Sequence, residues 1–180
     1  MNTYIVLIRG INVGGKNKMP MSQLKTVLEK QGFSDVLTYI ASGNVILKSK
    51  KPASLIKNEI ENILPREFDL DSELIKVLVL TRNQLQSIVD HKPDGFGEKP
   101  DTYHSDAIFL IGLDAKKTIN LFNPREGVDK VWSGEGVIYS ERLSALRTKS
   151  RLNKIMSVPE YQLMTIRNWN TTTKLLELSN

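Results

Sequence analysis

Pro20, Gly32, Pro52 and Pro65 divide the first part of the chain into segments, and each segment carries one hydrophobic period. Proline fits the first turn of a helix and not its interior, while glycine fits the position just past its end. Residues 4–8, Tyr-Ile-Val-Leu-Ile, predict a β-strand. After Pro20, the residues Leu24, Val27, Leu28 and Gln31 recur at helical spacing until Gly32. Residues 36–40 and 45–47 predict two more strands, joined by Ala41-Ser42-Gly43-Asn44. Pro52 opens a second helix with Leu55, Ile56, Ile60, Ile63 and Leu64 on one side, and Pro65 is expected to close it. Residues 74–80 are almost continuously apolar, which predicts a strand buried on both faces or central in its sheet. The order β-α-β-β-α-β is the ferredoxin-like arrangement, an antiparallel sheet with two helices on one face.

The second half is less regular and predicts a smaller α+β unit. Thr81-Arg82-Asn83-Gln84 fits a capping box that opens a helix through Leu85, Ile88 and Val89. The Pro/Gly-rich stretch 92–100 is the natural linker candidate, with domains expected at 1–81 and 82–180. Residues 107–111 predict a strand, and Asp114 predicts the cap of a short helix reaching Phe122. Residues 128–132 and 137–139 predict a hairpin around Ser133-Gly134-Glu135-Gly136. The remainder is expected to be helical and broken at Pro159. No repeat of the first half is visible in the residues themselves.

Cysteine is absent from the 180 residues, so disulfides, thiolate nucleophiles and zinc–cysteine sites are excluded. No apolar run is long enough to span a membrane as a helix. Met1-Asn2-Thr3 leads straight into a strand without the layout of a signal peptide, so a cytoplasmic protein is expected. The net charge of +5 is unevenly spread. Residues 142–180 hold seven basic side chains against two acids, and residues 1–34 hold five against one. Such asymmetry suits an anionic partner, and it also suits a solvated surface.

Arg9-Gly10-Ile11-Asn12-Val13-Gly14-Gly15-Lys16-Asn17 joins the first strand to the first helix. Gly10, four residues, then Gly15-Lys16 matches a Walker motif up to its last position, where Asn17 stands in place of Ser or Thr. The missing hydroxyl and the antiparallel sheet weigh strongly against a P-loop nucleotide hydrolase. A simpler phosphate cradle would use the amides of Gly14 and Gly15 with the guanidinium of Arg9, and Asn44 would orient a water, as in an acylphosphatase. Against it stands the plain turn, which needs the same Asn12, Gly14, Gly15, Ser42 and Gly43. The third segment is Thr165-Ile166-Arg167-Asn168-Trp169-Asn170-Thr171, with Thr165 as expected N-cap and Trp169 as either core anchor or stacking ring. His91 and His104, with Asp94, Asp101 and Asp106 nearby, match no metal spacing. No G-x-S-x-G occurs, and residues 45–47 lack the aromatic rings of an RNA-binding sheet.

Ile8-Arg9-Gly10-Ile11-Asn12-Val13-Gly14-Gly15, Tyr39-Ile40-Ala41-Ser42-Gly43-Asn44-Val45 and residues 165–171 together resemble the bacterial proteins catalogued as domain of unknown function 1697. The resemblance runs nearly end to end. It implies a two-part α+β protein with a ferredoxin-like first part, and it implies no activity. Its pattern singles out Arg9, Asn12, Gly14, Gly15, Ser42, Gly43, Asn44, Arg167, Asn168, Trp169 and Thr171.

The expected role is binding of a phosphate-bearing or other anionic small ligand in a cleft between the two units. The expected lining is Arg9, Asn12, Gly14, Gly15, Lys16, Ser42, Asn44, Arg167 and Asn168. A phosphohydrolase and a non-enzymatic interaction module are the alternatives. Nucleic acid is a weaker expectation than a small molecule, and no cofactor, metal or membrane is expected.

Overall fold

The computed structural model describes residues 1–71 and 75–180. Among these residues the chain is a mixed α+β protein with two four-stranded antiparallel sheets and five α-helices, dividing into two compact units. One unit comprises Met1–Gln86 with Leu175–Asn180, and the other comprises Ser87–Lys174. No helix among the described residues is long and apolar enough to cross a membrane.

The first unit runs β1 (Asn2–Arg9), α1 (Met21–Lys30), β2 (Ser34–Tyr39), β3 (Asn44–Ser49), α2 (Ala53–Glu67) and β4 (Lys76–Thr81), with sheet order β2-β3-β1-β4. Alternate residues of β1 point to opposite faces. Tyr4, Val6 and Ile8 pack with Leu24, Val27 and Leu28 of α1 and with Ile56, Ile60 and Leu64 of α2 in one core. Ile5 and Leu7 are fully buried on the other face.

β1 is therefore the central, doubly buried strand, and β4 is an edge strand. The apolar run at 74–80 does not distinguish these positions, because burial of the faces and pairing of the edges are independent. Leu74 lies outside the described residues. Pro65 also falls inside α2 and does not close it. It sits in the last turn, where one missing N–H is tolerated, and the Phe68 amide still donates to the Leu64 carbonyl at 3.0 Å.

Helix α3 (Arg82–Asp90) opens with the expected capping box. The Thr81 amide donates to Gln84 Oε1 at 2.8 Å, and the Gln84 amide donates back to Thr81 Oγ1 at 3.2 Å.

The second unit continues with β5 (Tyr103–Leu110), α4 (Ala115–Thr118), β6 (Asp129–Gly134), β7 (Val137–Leu143), β8 (Met164–Asn168) and α5 (Trp169–Leu178), the last of which ends in the first unit. Its sheet order β6-β7-β5-β8 repeats the first sheet strand for strand. The Asp114 carboxylate accepts from the Lys117 amide at 3.0 Å and caps α4 as expected.

Residues 144–163 are not an α-helix but three short 3₁₀ turns. Residues 164–168 are a strand, so Thr165 is not an N-cap. The capping group of α5 is Asn168, whose Oδ1 accepts from the Asn170 amide at 3.0 Å. Stretch 92–100 lies within the second unit. Its Phe96 is fully buried, with ring edges against Trp132, Tyr139 and Trp169 at centroid distances of 5.9, 5.2 and 5.0 Å. Trp169 is thus a core residue.

The β2–β3 turn provides a test of the backbone. Gly43 holds φ +79°, and a Cβ there would stand 2.7 Å from the Ile8 carbonyl oxygen. Gly14 holds φ +58° with open space around it. Urea unfolding is expected to show Gly14→Ala losing about 1 kcal/mol, the ordinary left-handed penalty. Gly43→Ala is expected to lose roughly 3 kcal/mol, because strain and a backbone clash add.

Candidate functional site

In the first unit the glycine loop and the β2–β3 turn come together, and their hydrogen bonds are structural. Gly14 and Gly15 occupy the two middle positions of a tight turn closed by the Lys16 amide on the Val13 carbonyl at 3.0 Å. Positive φ at both positions makes it the mirror-image type that hairpins favour. The Asn12 side chain accepts from the Met19 amide at 2.7 Å and donates to the carbonyls of Met19 at 2.9 Å and Ala41 at 2.8 Å.

Asn44 is fully buried, and its Nδ2 donates to the Tyr39 carbonyl at 3.0 Å and to Ser42 Oγ at 2.9 Å. Arg9 ends β1 half-buried, while Gly14, Gly15 and Lys16 are exposed. The loop already holds an anion of its own: the Asn17 amide donates to the Asp71 carboxylate at 2.6 Å. The groove beside Gly15 is lined by Glu67, Asp69 and Asp71 with Lys18.

Arg167 and Asn168 are adjacent on β8 and therefore point to opposite faces of the second sheet. Arg167 is buried, donating to Thr165 Oγ1 at 2.9 Å and to the Ile166 carbonyl at 2.8 Å, and burial lowers its pKa to about 10. On that face Tyr139 donates to the Ile88 carbonyl at 2.6 Å, and burial raises its pKa to about 12.

The face bearing Asn168 is the chemically unusual one. Pairing registers make the two sheets directly comparable. In the first, Tyr4 faces Leu47 and Thr81, the last residue before a helix. In the second, Asp106 faces Ser140 and Asn168, again the last residue before a helix. Asp106 and Ser140 thus stand where the first unit has the buried, apolar-packed Tyr4 and Leu47. One step further along the strands, His104 faces Arg142 directly. Directly opposed residues of an antiparallel pair have Cβ atoms about 5 Å apart.

The cover differs in the same place. In the first unit the connection between the last two strands is the fifteen-residue helix α2. In the second it is the three 3₁₀ turns, from which Leu152 and Ile155 join the core. The remaining space is a cavity of about 330 Å³. Its polar lining is His104, Asp106, Ser140, Arg142, Asn153 and Asn168, and its apolar lining is Ile108, Phe122, Leu152, Ile155, Met156 and Ile166.

Within the polar part, His104 Nε2 lies 3.1 Å from Asp106 Oδ1. Burial raises the Asp106 carboxyl above its ordinary value of 3.8, against the opposing pull of His104 and Arg142. Arg142 donates through Nη1 to Asn153 Oδ1 at 3.3 Å. Its Nε is buried and has no hydrogen-bond partner among the described residues. A guanidinium that lines a cavity favours an acceptor oxygen in that cavity. No group of three or more metal-binding side chains is present among the described residues.

Sequence reasoning passed over this site. His104 and Asp106 are two apart on a strand, and Arg142 joins them only through cross-strand register. The visible signal was polar residues at alternate positions of a strand whose far end is apolar.

The class of protein defined here is a two-unit α+β chain whose second unit carries an open cavity with polar and apolar sides. The chain belongs to the family described as Protein of unknown function (DUF1697), whose model matches residues 1–139. Its fold is similar to that of the conserved bacterial protein SP0830 from Streptococcus pneumoniae. The two are 26% identical with a TM-score of 0.84, and the likeness covers 99% of each chain. No curated protein matches.

Burial of Asp106 has a consequence for stability. A carboxyl whose pKa is raised by folding holds its proton more tightly in the native state than in the unfolded state. Its contribution is then fully present below the unfolded value of 3.8 and is lost as pH rises through the folded value. Asp106→Asn, which is never charged, is expected to be more stable than the wild type at pH 7. That advantage is expected to shrink as pH falls through the folded value towards 3.8, as read from paired urea unfolding curves.

Proposed function

We propose that this protein binds a small anion with an apolar body, a carboxylate or phosphate monoester, in the cavity of its second unit. The observation that carries the reading is Arg142. Its side chain lines the polar end of a cavity whose other side is Ile108, Phe122, Leu152, Ile155, Met156 and Ile166, and its buried Nε has no hydrogen-bond partner among the described residues. The fork of guanidinium donors suits two oxygens of one anion.

The same geometry weighs against a phosphate at the Arg9–Lys16 loop, because the Asn17 amide is taken by Asp71 and the adjoining groove is acidic. Asn12, Ser42 and Asn44 are read as loop-holding residues. The first unit is read as ferredoxin-like, supported by its β-α-β-β-α-β order and the sheet order β2-β3-β1-β4.

Octanoate and octyl phosphate test the reading, with octanamide and inorganic phosphate as controls. At about 100 times its Kd, a ligand of the native state adds roughly 2.7 kcal/mol, which is a melting shift of about 5–10 °C for a chain of this size. Both octyl anions are expected to give such a shift, and both controls much less. Arg142→Ala is expected to weaken octanoate binding about 10–100-fold, the worth of a hydrogen bond to a charged group. An unmoved melt with both octyl anions ends the reading.

A further inference from the structure

A second cavity, of about 200 Å³, is also lined by His104 and Asn168. The rest of its lining is mainly polar or backbone: Gly97, Ser105, Asn170, the edge of Trp169, and Pro100 with Tyr103. A molecule that fills both cavities has an apolar part in the first and a small polar part in the second. The bond between those parts then lies beside His104.

The hydrogen bond of His104 fixes which of its nitrogens is the base. Nε2 faces Asp106 Oδ1 at 3.1 Å, so the neutral ring carries its proton on Nε2 and a lone pair on Nδ1. Arg142 stands directly across the strand pair from His104. A base and a fixed cation on one sheet face are what acyl transfer to water requires.

We propose that the protein hydrolyses an ester whose acyl part is apolar and whose alcohol is small and polar, with His104 as general base at the junction of the two cavities. The proposal rests on the ligand reading above, since the acid it releases is the carboxylate that Arg142 would hold.

The step balances as follows. A water oxygen bonds to the carbonyl carbon while His104 Nδ1 takes one of its protons. The negative charge that forms on the carbonyl oxygen is stabilised by the Arg142 guanidinium. The tetrahedral centre collapses, the carbon–oxygen bond to the alcohol breaks, and the imidazolium returns its proton to the departing oxygen. The products are the carboxylic acid and the alcohol, and nothing is oxidised or reduced. Asp106 is a positioning residue that holds the ring and favours the imidazolium that forms. Burial keeps that carboxyl out of bulk water, which strengthens its hold on the ring.

The probe is 1-monooctanoylglycerol, with acid release followed by titration at constant pH. Wild-type protein is expected to release octanoate above the buffer rate. His104→Ala is expected to lose about 100-fold or more of that rate, the usual share of a general base. Added imidazole is expected to restore part of it. His91→Ala, which changes the chain's other histidine, should hydrolyse like the wild type. Asp106→Asn should lower kcat more than it changes KM and should move the pH–rate profile.

Two results overturn the proposal: wild-type protein that binds octanoate but releases no acid above buffer, or His104→Ala that works as fast as wild type. Failure of octanoate to bind overturns this proposal and the ligand reading together.

Discussion

A β-sheet buries a face only when something lies across it, and the two sheets of this protein differ most in what does so. In the first unit, Ile56, Ile60 and Leu64 of α2 share one core with Tyr4, Val6 and Ile8 of β1 and with Val45 and Leu47 of β3. In the second, the connection between the last two strands is three 3₁₀ turns. From that connection Leu152 and Ile155 are buried in the core, and Val158 and Tyr161 pack against it partly exposed. Polar residues survive at the uncovered end because their groups keep room for a partner or for water.

The matching registers make the comparison specific. Tyr4 and Leu47 are packed side chains, and their counterparts Asp106 and Ser140 line a cavity. A carboxylate or a hydroxyl at a core position costs stability unless it finds a partner or water. Arg142 and Asp129, opposed across β6 and β7, each leave one buried polar atom without a partner among the described residues. Asp129 has a scaffold role, because its other oxygen accepts from the amides of Arg125 and Arg151 at 2.9 and 2.8 Å and ties the first 3₁₀ turns to the sheet.

The elements that announce themselves locally were legible in the sequence. The capping box at Thr81–Gln84, the cap at Asp114 and the hairpin around Ser133–Gly136 each depend on residues a few positions apart. The strand at 164–168 was hidden because a short segment with two β-branched residues fits a helix start as well as a strand. Pairing with β5, more than fifty positions earlier, decides it. The site was hidden for the same reason. His104 and Arg142 are neighbours only through a register that forms when β5 and β7 pair. The prominent Arg-Gly-x-Asn-x-Gly-Gly run was visible because it is contiguous, and its hydrogen bonds hold a loop in shape.

The first unit is not continuous in the chain. Residues 1–86 need residues 175–180 to complete it, with Arg82 bonded to Asn180. During synthesis residues 87–174 are all added before the first unit receives its last piece. At about 5–20 residues per second, that wait is roughly 4–18 s. Removal of residues 175–180 would therefore damage the unit built mainly from residues 1–86, far from the cut in sequence.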